Sequence, residues 1–194
     1  MKRKVAVMMC AVMIMCALPV FALTFSDLTN AHWAYENIMG LVEKGVINGY
    51  QDGTFRPENM VTYGEFMKLT VCSYMPEKYL LPHIEGEHWA QRYINTAEMY
   101  EMMPAGSIRP EKLDLPITRI EMAKFLAMID ESMTGKNYNK ITLDFVDVGD
   151  LPTEYILYLE RLVGKGYILG NPDKTFKPDN NLSRAEMATI LTRL

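Results

Sequence analysis

The chain has 194 residues and an acidic composition, with 24 Asp and Glu residues against 20 Lys and Arg and a net charge of −4. Because no cluster of basic residues follows the first few positions, this balance excludes a general nucleic-acid binder and a protein held on an anionic membrane surface. The length allows one domain with a substantial hydrophobic core.

The N-terminus has the layout of a secretory signal peptide. Three basic residues are followed by an uncharged apolar run that reaches residue 22, with Pro19 and Ala22 near its end. An uncleaved membrane anchor is the alternative, since about 20 apolar residues can span a bilayer; Pro19 and Ala22 favour cleavage after residue 22. Cleavage removes three basic residues and no acidic one, which moves the net charge from −4 to −7. It also leaves Cys72 as the single cysteine, which excludes an internal disulfide.

One stretch of the chain occurs three times, at residues 45–65, 102–121 and 166–186. Each copy contains a loop, a basic residue followed by Pro, and a Ser/Thr-x-x-Glu sequence. That sequence is typical of a capping box at a helix start, in which side chain and backbone satisfy each other's free amides. The three boxes are Thr62 to Glu65, Thr118 to Glu121 and Ser183 to Glu186. Their recurrence predicts a repeat protein.

A second helix is predicted before the loop of each copy. Residues Ala34, Ile38, Leu41 and Val42 follow helical spacing and stop at Gly45, a residue that readily ends a helix. The second and third copies repeat this arrangement, although the glycine-rich turn of the second is largely lost. The pattern therefore predicts six helices, two in each repeat, and an all-α fold.

The first copy, FSDLTNAHWAYENIMGLVEKGVINGYQDGTFRPENMVTYGEF, resembles the S-layer homology repeat of bacterial cell-surface proteins. The resemblance implies three tandem helix-loop-helix repeats in a pseudo-threefold spindle around a central helical bundle. It also sets the expected boundaries: a signal peptide at 1–22, and repeats at 23–75, 81–133, where the loop is degenerate, and 143–194.

The same resemblance implies a function and a location. The expected protein is a secreted, non-catalytic anchor at the bacterial cell wall or S-layer surface. Its expected partner is secondary cell-wall polysaccharide attached to peptidoglycan, bound non-covalently through an anionic sugar such as one that carries a pyruvate ketal. Other surface proteins are a further class of partner. Neither nucleic acid nor, after signal cleavage, the membrane is expected to be bound.

Site residues follow from the family pattern position by position. The arginine of the family's Thr-Arg-x-Glu motif falls on Arg119 and Arg184, where a guanidinium fork would join free backbone amides at a helix start to hold an anion. In the first repeat this position is Tyr63, which carries no charge, so one or two working grooves are expected rather than three. The other expected ligand-binding residues are Asp27, Asp147, Trp33, Trp89, Gly49, Asp52 and Gly53.

These residues also have structural interpretations. Trp33 and Trp89 suit a core anchor as well as a sugar platform, and the aspartates suit turns and helix caps. No catalytic motif is recognisable, so neither an enzyme nor any cofactor or metal site is expected. The alternative function is a structural or assembly protein of the cell surface, with vestigial sugar grooves and a binding face for another protein.

Overall fold

The computed structural model describes residues 24–194, and the expected signal peptide at 1–22 lies outside them. Six α-helices occur in this part of the chain, as predicted, together with two short 3-10 helices at Glu77–Tyr79 and Pro110–Lys112. The α-helices are α1 (Tyr35–Glu43), α2 (Tyr63–Tyr74), α3 (Gln91–Met99), α4 (Arg119–Thr134), α5 (Thr153–Gly164) and α6 (Arg184–Leu191). Over residues 24–194 only isolated bridges join extended segments, which confirms the all-α class.

The starts of α2, α4 and α6 carry the predicted caps. Full capping boxes form at Thr62 and Ser183, where the Glu three residues later returns a hydrogen bond to the cap amide. At Thr118 the box is incomplete. Its hydroxyl accepts from the Glu121 amide, but the Glu121 carboxylate accepts hydrogen bonds from Tyr63 and from the Thr118 hydroxyl instead. The contact of Glu121 with Tyr63 from another repeat therefore replaces one of the two hydrogen bonds of the capping box.

The first helix of each predicted repeat packs against the second helix of another repeat. α1 contacts α6, α3 contacts α2, and α5 contacts α4, while α2 also contacts α4 and α6. The segments just before α2, α4 and α6 pair in the same cyclic order through the isolated bridges Met60 to Ser183, Thr62 to Pro116 and Thr118 to Asn181. The elements are thus joined in a closed ring of contacts; the spindle shape and the exact repeat boundaries stay predictions.

A single apolar core runs through all six helices. Phe55 and Phe176, at equivalent positions of two loops, are 1% and 0% exposed, so each ring fixes its loop to the core. Four methionines, Met67, Met102, Met122 and Met187, are each 1% exposed or less. Their flexible thioether side chains suit the irregular spaces between helices of different repeats.

A buried group of charges, which we call the Asp130 cluster, joins the three predicted repeats. Asp130 on α4 is fully buried, and it accepts hydrogen bonds from Arg161 Nε and Lys165 Nζ, both at 2.7 Å. The Tyr74 hydroxyl, at the end of α2, also donates to it at 2.9 Å. Burial acts to raise the pKa of Asp130, but the hydrogen bonds from Lys165, Tyr74 and Arg161 outweigh it and leave that pKa below its ordinary value.

Candidate functional site

Two grooves have closely corresponding linings. The first, which we call the Arg184 groove, has a volume of about 250 Å³ and is lined by Asn48, Glu65, Lys68, Trp89 and Arg184 among others. Here an arginine from the third predicted repeat meets the loop and second helix of the first, and a tryptophan of the second completes the wall. Residues of all three repeats therefore build one site.

The second groove, which we call the Arg119 groove, has the same design rotated by one repeat. Its volume is about 400 Å³, and its lining includes Trp33, Arg119, Leu169, Glu186 and Arg193. The arginine now comes from the second repeat, the loop from the third and the tryptophan from the first. The two expected arginines are therefore each brought together with one of the two expected tryptophans.

The guanidinium group of Arg119 is hydrogen-bonded to groups within the protein. Its Nε donates to the Phe176 carbonyl oxygen at 2.7 Å, and its Nη1 donates to the Glu186 carboxylate at 2.6 Å. The side chain is only 9% exposed. Because the charge is neutralised by a carboxylate at close range, this arginine offers a weak positive field to the Arg119 groove.

Arg184 differs from Arg119 in its partners. Its Nε and Nη2 donate to the carbonyl oxygens of Phe55 and Asn48, at 3.1 and 3.0 Å. Among the ion pairs of residues 24–194, neither Arg184 nor Lys68 in the same groove is paired with a carboxylate. A carbonyl orients a guanidinium without cancelling its charge. The Glu65 carboxylate also lines the groove and accepts the Thr62 amide, so two cations stand against one carboxylate and positive charge is available to an anion.

Tyr63 occupies the third equivalent position and is also used internally. It is 3% exposed, and its hydroxyl donates a hydrogen bond to Glu121. Burial raises the pKa of Tyr63 well above its ordinary value, and the bond to Glu121 adds to that rise. Lys112 pairs with the same carboxylate at 3.3 Å. Among residues 24–194, the cation beside the start of α2 is therefore Lys112, and it is paired with Glu121.

Both tryptophans stand at the surface and not in the core. Trp33 is 61% exposed and Trp89 is 44% exposed, which leaves indole surface open to a ligand in each groove. A histidine precedes each tryptophan. Its Nδ1 accepts a hydrogen bond from the backbone amide two residues after the histidine, at 3.2 Å for His32 and 3.1 Å for His88. The two histidines thus have the same structural role at equivalent positions of two repeats.

The remaining expected site residues shape the loops and lie outside the linings of both grooves. Asp27 accepts the amides of Phe55 and Arg56 at 2.8 and 2.7 Å, and Asp147 accepts those of Phe176 and Lys177 at the same distances. Each aspartate therefore fastens the start of its repeat to the far end of its loop.

The glycine-rich turn of the first loop is held by hydrogen bonds within itself. Asp52 accepts the amide and hydroxyl of Thr54 and a bond from Arg56, and these lower its pKa to about 2. Gly53 has a φ of +78°, a backbone conformation that favours glycine. At Gly49 the ring of Phe25 packs directly on the backbone. Asp52, Gly49 and Gly53 thus fix the turn that carries Phe55 and Tyr50 toward Arg184.

Replacing Gly49 with Ala is expected to lower the free energy of unfolding by about 1–3 kcal/mol, because the added methyl would overlap the Phe25 ring. The same methyl would lie 2.8 Å from the Thr54 carbonyl oxygen, which is backbone and cannot easily yield. Gly40→Ala is the matched control. Gly40 lies inside α1, and outside the helix's own backbone no heavy atom lies within 4 Å of the new methyl. This substitution should raise the free energy of unfolding by about 0.5–1 kcal/mol. Urea denaturation measures both, and equal stability of the two variants would contradict this packing.

One expectation about the helix starts is wrong. The first amides of these helices are not free for an anion, because carbonyl groups of another repeat already accept from them. The Tyr63 amide donates to Leu115, that of Arg119 to Asn180 and that of Arg184 to Asn59, at 2.8–3.0 Å. The ring of contacts between repeats has used these donors, so side chains must supply the recognition of a ligand.

Sequence reasoning missed Lys68, Glu65, Asn48 and Arg193 as groove residues. Glu65 and Lys68 are three residues apart on α2 and therefore share a face. That spacing could have indicated them. Arg193 follows α6 and belongs to no recurrent motif, so only the packing of the chain shows its position.

The fold and grooves define a class of protein: an all-helical chain whose recurrent helix pairs form solvent-open grooves lined by arginine and tryptophan. A sequence model of the S-layer homology domain matches residues 24–67 and 144–188. Residues 24–67 and 144–188 are thus S-layer homology domains, which confirms the resemblance seen in the sequence. The assignment of residues 81–133 as a further repeat stays a prediction.

Three curated relatives are similar to this chain over most of its length. A cellulosome-anchoring protein of Acetivibrio thermocellus is 32% identical over 157 residues, or 75% of this chain and 33% of the relative. Cell surface glycoprotein 1 of the same organism is 30% identical over 80% of this chain and 7% of its own length. An endoglucanase of Bacillus sp. is 26% identical over 89% and 19%. The chain spans a third or less of the length of these relatives.

Proposed function

We propose that the protein is a non-catalytic anchoring module that binds cell-wall polysaccharide through the Arg184 groove. The ligand is an anionic sugar of a secondary wall polysaccharide, with a ketal carboxylate such as that of pyruvate as the anion. The family assignment and a relative named as a cellulosome-anchoring protein support this proposal.

The observation that carries the proposal is the state of Arg184. Its guanidinium is oriented by two carbonyl groups and has no carboxylate partner among the described residues, while Lys68 adds a second cation to the groove. A carboxylate can accept from the remaining donors of a guanidinium, which is a strong charge-assisted interaction. The exposed face of Trp89 in the same groove supplies apolar surface for a sugar ring.

The proposed location is the outer surface of a bacterium, reached through the N-terminal signal segment. Within residues 24–194, no helix combines the length and apolar character needed to cross a bilayer. The segment shared with an endoglucanase and with an anchoring protein is a minor part of both relatives. A shared region in proteins with different printed names supports a binding role, and the proposal assigns no catalytic step to it.

Co-sedimentation with purified peptidoglycan sacculi tests the proposal. The protein is expected to pellet with intact sacculi and to stay in solution once the secondary polysaccharide has been removed chemically. A free pyruvylated sugar added in excess is expected to release the bound protein. Equal binding to intact and stripped sacculi would overturn the proposal.

A second candidate function is an assembly protein of the surface that binds another protein. Two of the three equivalent positions favour this function, because neither presents an unpaired positive charge. Arg119 is paired with Glu186, and Tyr63 is uncharged and donates a hydrogen bond to Glu121. Co-purification with a protein partner distinguishes the two functions. The assembly function is supported if the parent chain does not bind sacculi and if Arg184→Ala still co-purifies with the partner.

A further inference from the structure

A third concave surface, which we call the acidic groove, lies between the loop after α3 and the helices α4 and α5. Its volume is about 760 Å³. Its apolar part is formed by Met102, Met103, Met128 and Tyr158; the first two are buried and the others half-buried. Methionine and tyrosine together make a floor that can adapt to the shape of an apolar side chain.

Carboxylates surround this floor. Glu98, Glu101 and Glu131 all line the groove, and the single cation in the lining is Lys136. Lys136 lies 3.8 Å from Glu131 with a side chain that is 90% exposed, so it screens that carboxylate only weakly. The groove therefore presents a net negative charge around an apolar centre.

The corresponding surface of the first repeat lacks this negative charge. It has a volume of about 530 Å³, and its lining contains Lys44 and Lys68 and no Asp or Glu. An offset of 56 residues relates part of the two linings, and it aligns Gly45 with Glu101 and Cys72 with Met128. The negative charge of the acidic groove is therefore not shared by the corresponding surface of the first repeat.

We propose that the acidic groove binds a segment of a partner protein in which Lys or Arg side chains flank an apolar side chain. The apolar side chain packs on Met102, Met128 and Tyr158, and the basic side chains pair with Glu101 and Glu131. The open shape suits an extended segment better than an enclosed small molecule. Negative charge repels an anionic polysaccharide, so this function is separate from that of the Arg184 groove.

Methionine-methyl NMR tests the proposal directly. The protein is labelled with 13C at the methionine methyl groups and titrated at low salt with a short amidated peptide of lysine and leucine. The methyl resonances of Met102, Met103 and Met128 are expected to shift. A peptide of the same length made of glutamate and leucine is expected to leave them unchanged.

Two charge variants make the test specific. Glu101→Gln with Glu131→Gln is expected to weaken peptide binding about tenfold, because two exposed ion pairs with the peptide are lost. Glu36→Gln with Glu43→Gln removes the same charge from the exposed side of α1, and it should bind like the parent. Equal weakening by both pairs, or shifts confined to other methionines, would overturn the proposal. Neither result depends on whether the protein binds sacculi.

Discussion

Replacing Asp130 with Asn is expected to lower the free energy of unfolding by about 3–5 kcal/mol, because it leaves two cations in a buried place without their anion. Asp130 is fully buried, Arg161 is 2% exposed, and Lys165 lies 2.7 Å from the carboxylate. Urea denaturation followed by circular dichroism measures the change. The control Asp150→Asn lies at an exposed position and should alter stability by less than about 0.5 kcal/mol.

A triple variant separates charge from packing. Asp130→Leu, Arg161→Met and Lys165→Met together replace the Asp130 cluster with apolar groups, and most of the lost stability should return. If Asp130→Asn costs no more than the control, or if the triple variant is the least stable of the three, the cluster does not stabilise the contact between repeats as we describe.

The pH dependence of this effect has a definite sign. The pKa of Asp130 is lower in the folded protein than its ordinary value, so its contribution is complete above about pH 5 and is lost as the pH falls through about 4 and below. The parent chain is therefore expected to lose stability below about pH 4 more steeply than Asp130→Asn. Above about pH 5 the difference between them should be constant.

Replacing Arg184 with Gln is expected to weaken binding to sacculi about 10- to 100-fold. This range corresponds to the loss of charge-assisted hydrogen bonds of about 1.5–3 kcal/mol. Glutamine places an amide nitrogen near the position of Arg184 Nε, where it can donate to the Phe55 carbonyl oxygen, so the loop should hold its place. Binding isotherms from co-sedimentation give the affinity, and thermal unfolding shows whether the fold is intact.

Two further arginine variants are the controls for this experiment. Arg109→Gln removes an exposed cation that pairs with Glu111, and its affinity should equal that of the parent. Arg119→Gln leaves the half-buried Glu186 without its cation, so it should reduce stability more than affinity. Equal affinities of the Arg184 and Arg109 variants would refute a role for the Arg184 groove in binding.

Much of the fold could be predicted from short-range signals. The capping sequences at Thr62, Thr118 and Ser183 marked three helix starts, and Gly45 marked a helix end. These signals involve neighbouring residues, and their energies depend little on the rest of the chain. The interrupted box at Thr118 is the exception, because Tyr63 from another repeat takes the Glu121 carboxylate.

The candidate site was predicted less completely. The sequence identified Arg119, Arg184, Trp33 and Trp89, and the structure brings them together in two grooves. It could not distinguish the arginines, since both follow a cap residue and precede a glutamate two positions later. Glu186 accepts a hydrogen bond from Arg119 in the contact between two repeats, whereas the hydrogen bonds of Arg184 go to two carbonyl groups.

The sequence by itself therefore determined the helices, their ends and the family, because caps, glycine stops and apolar spacing act within a few residues. Only the tertiary structure decided which arginine keeps a free charge, which helix amides are occupied and where the Asp130 cluster forms. Tyr74, Asp130 and Arg161 are far apart in the chain and meet at one buried carboxylate. Such charges are defined by the partners that folding brings near them, and no local pattern records those partners.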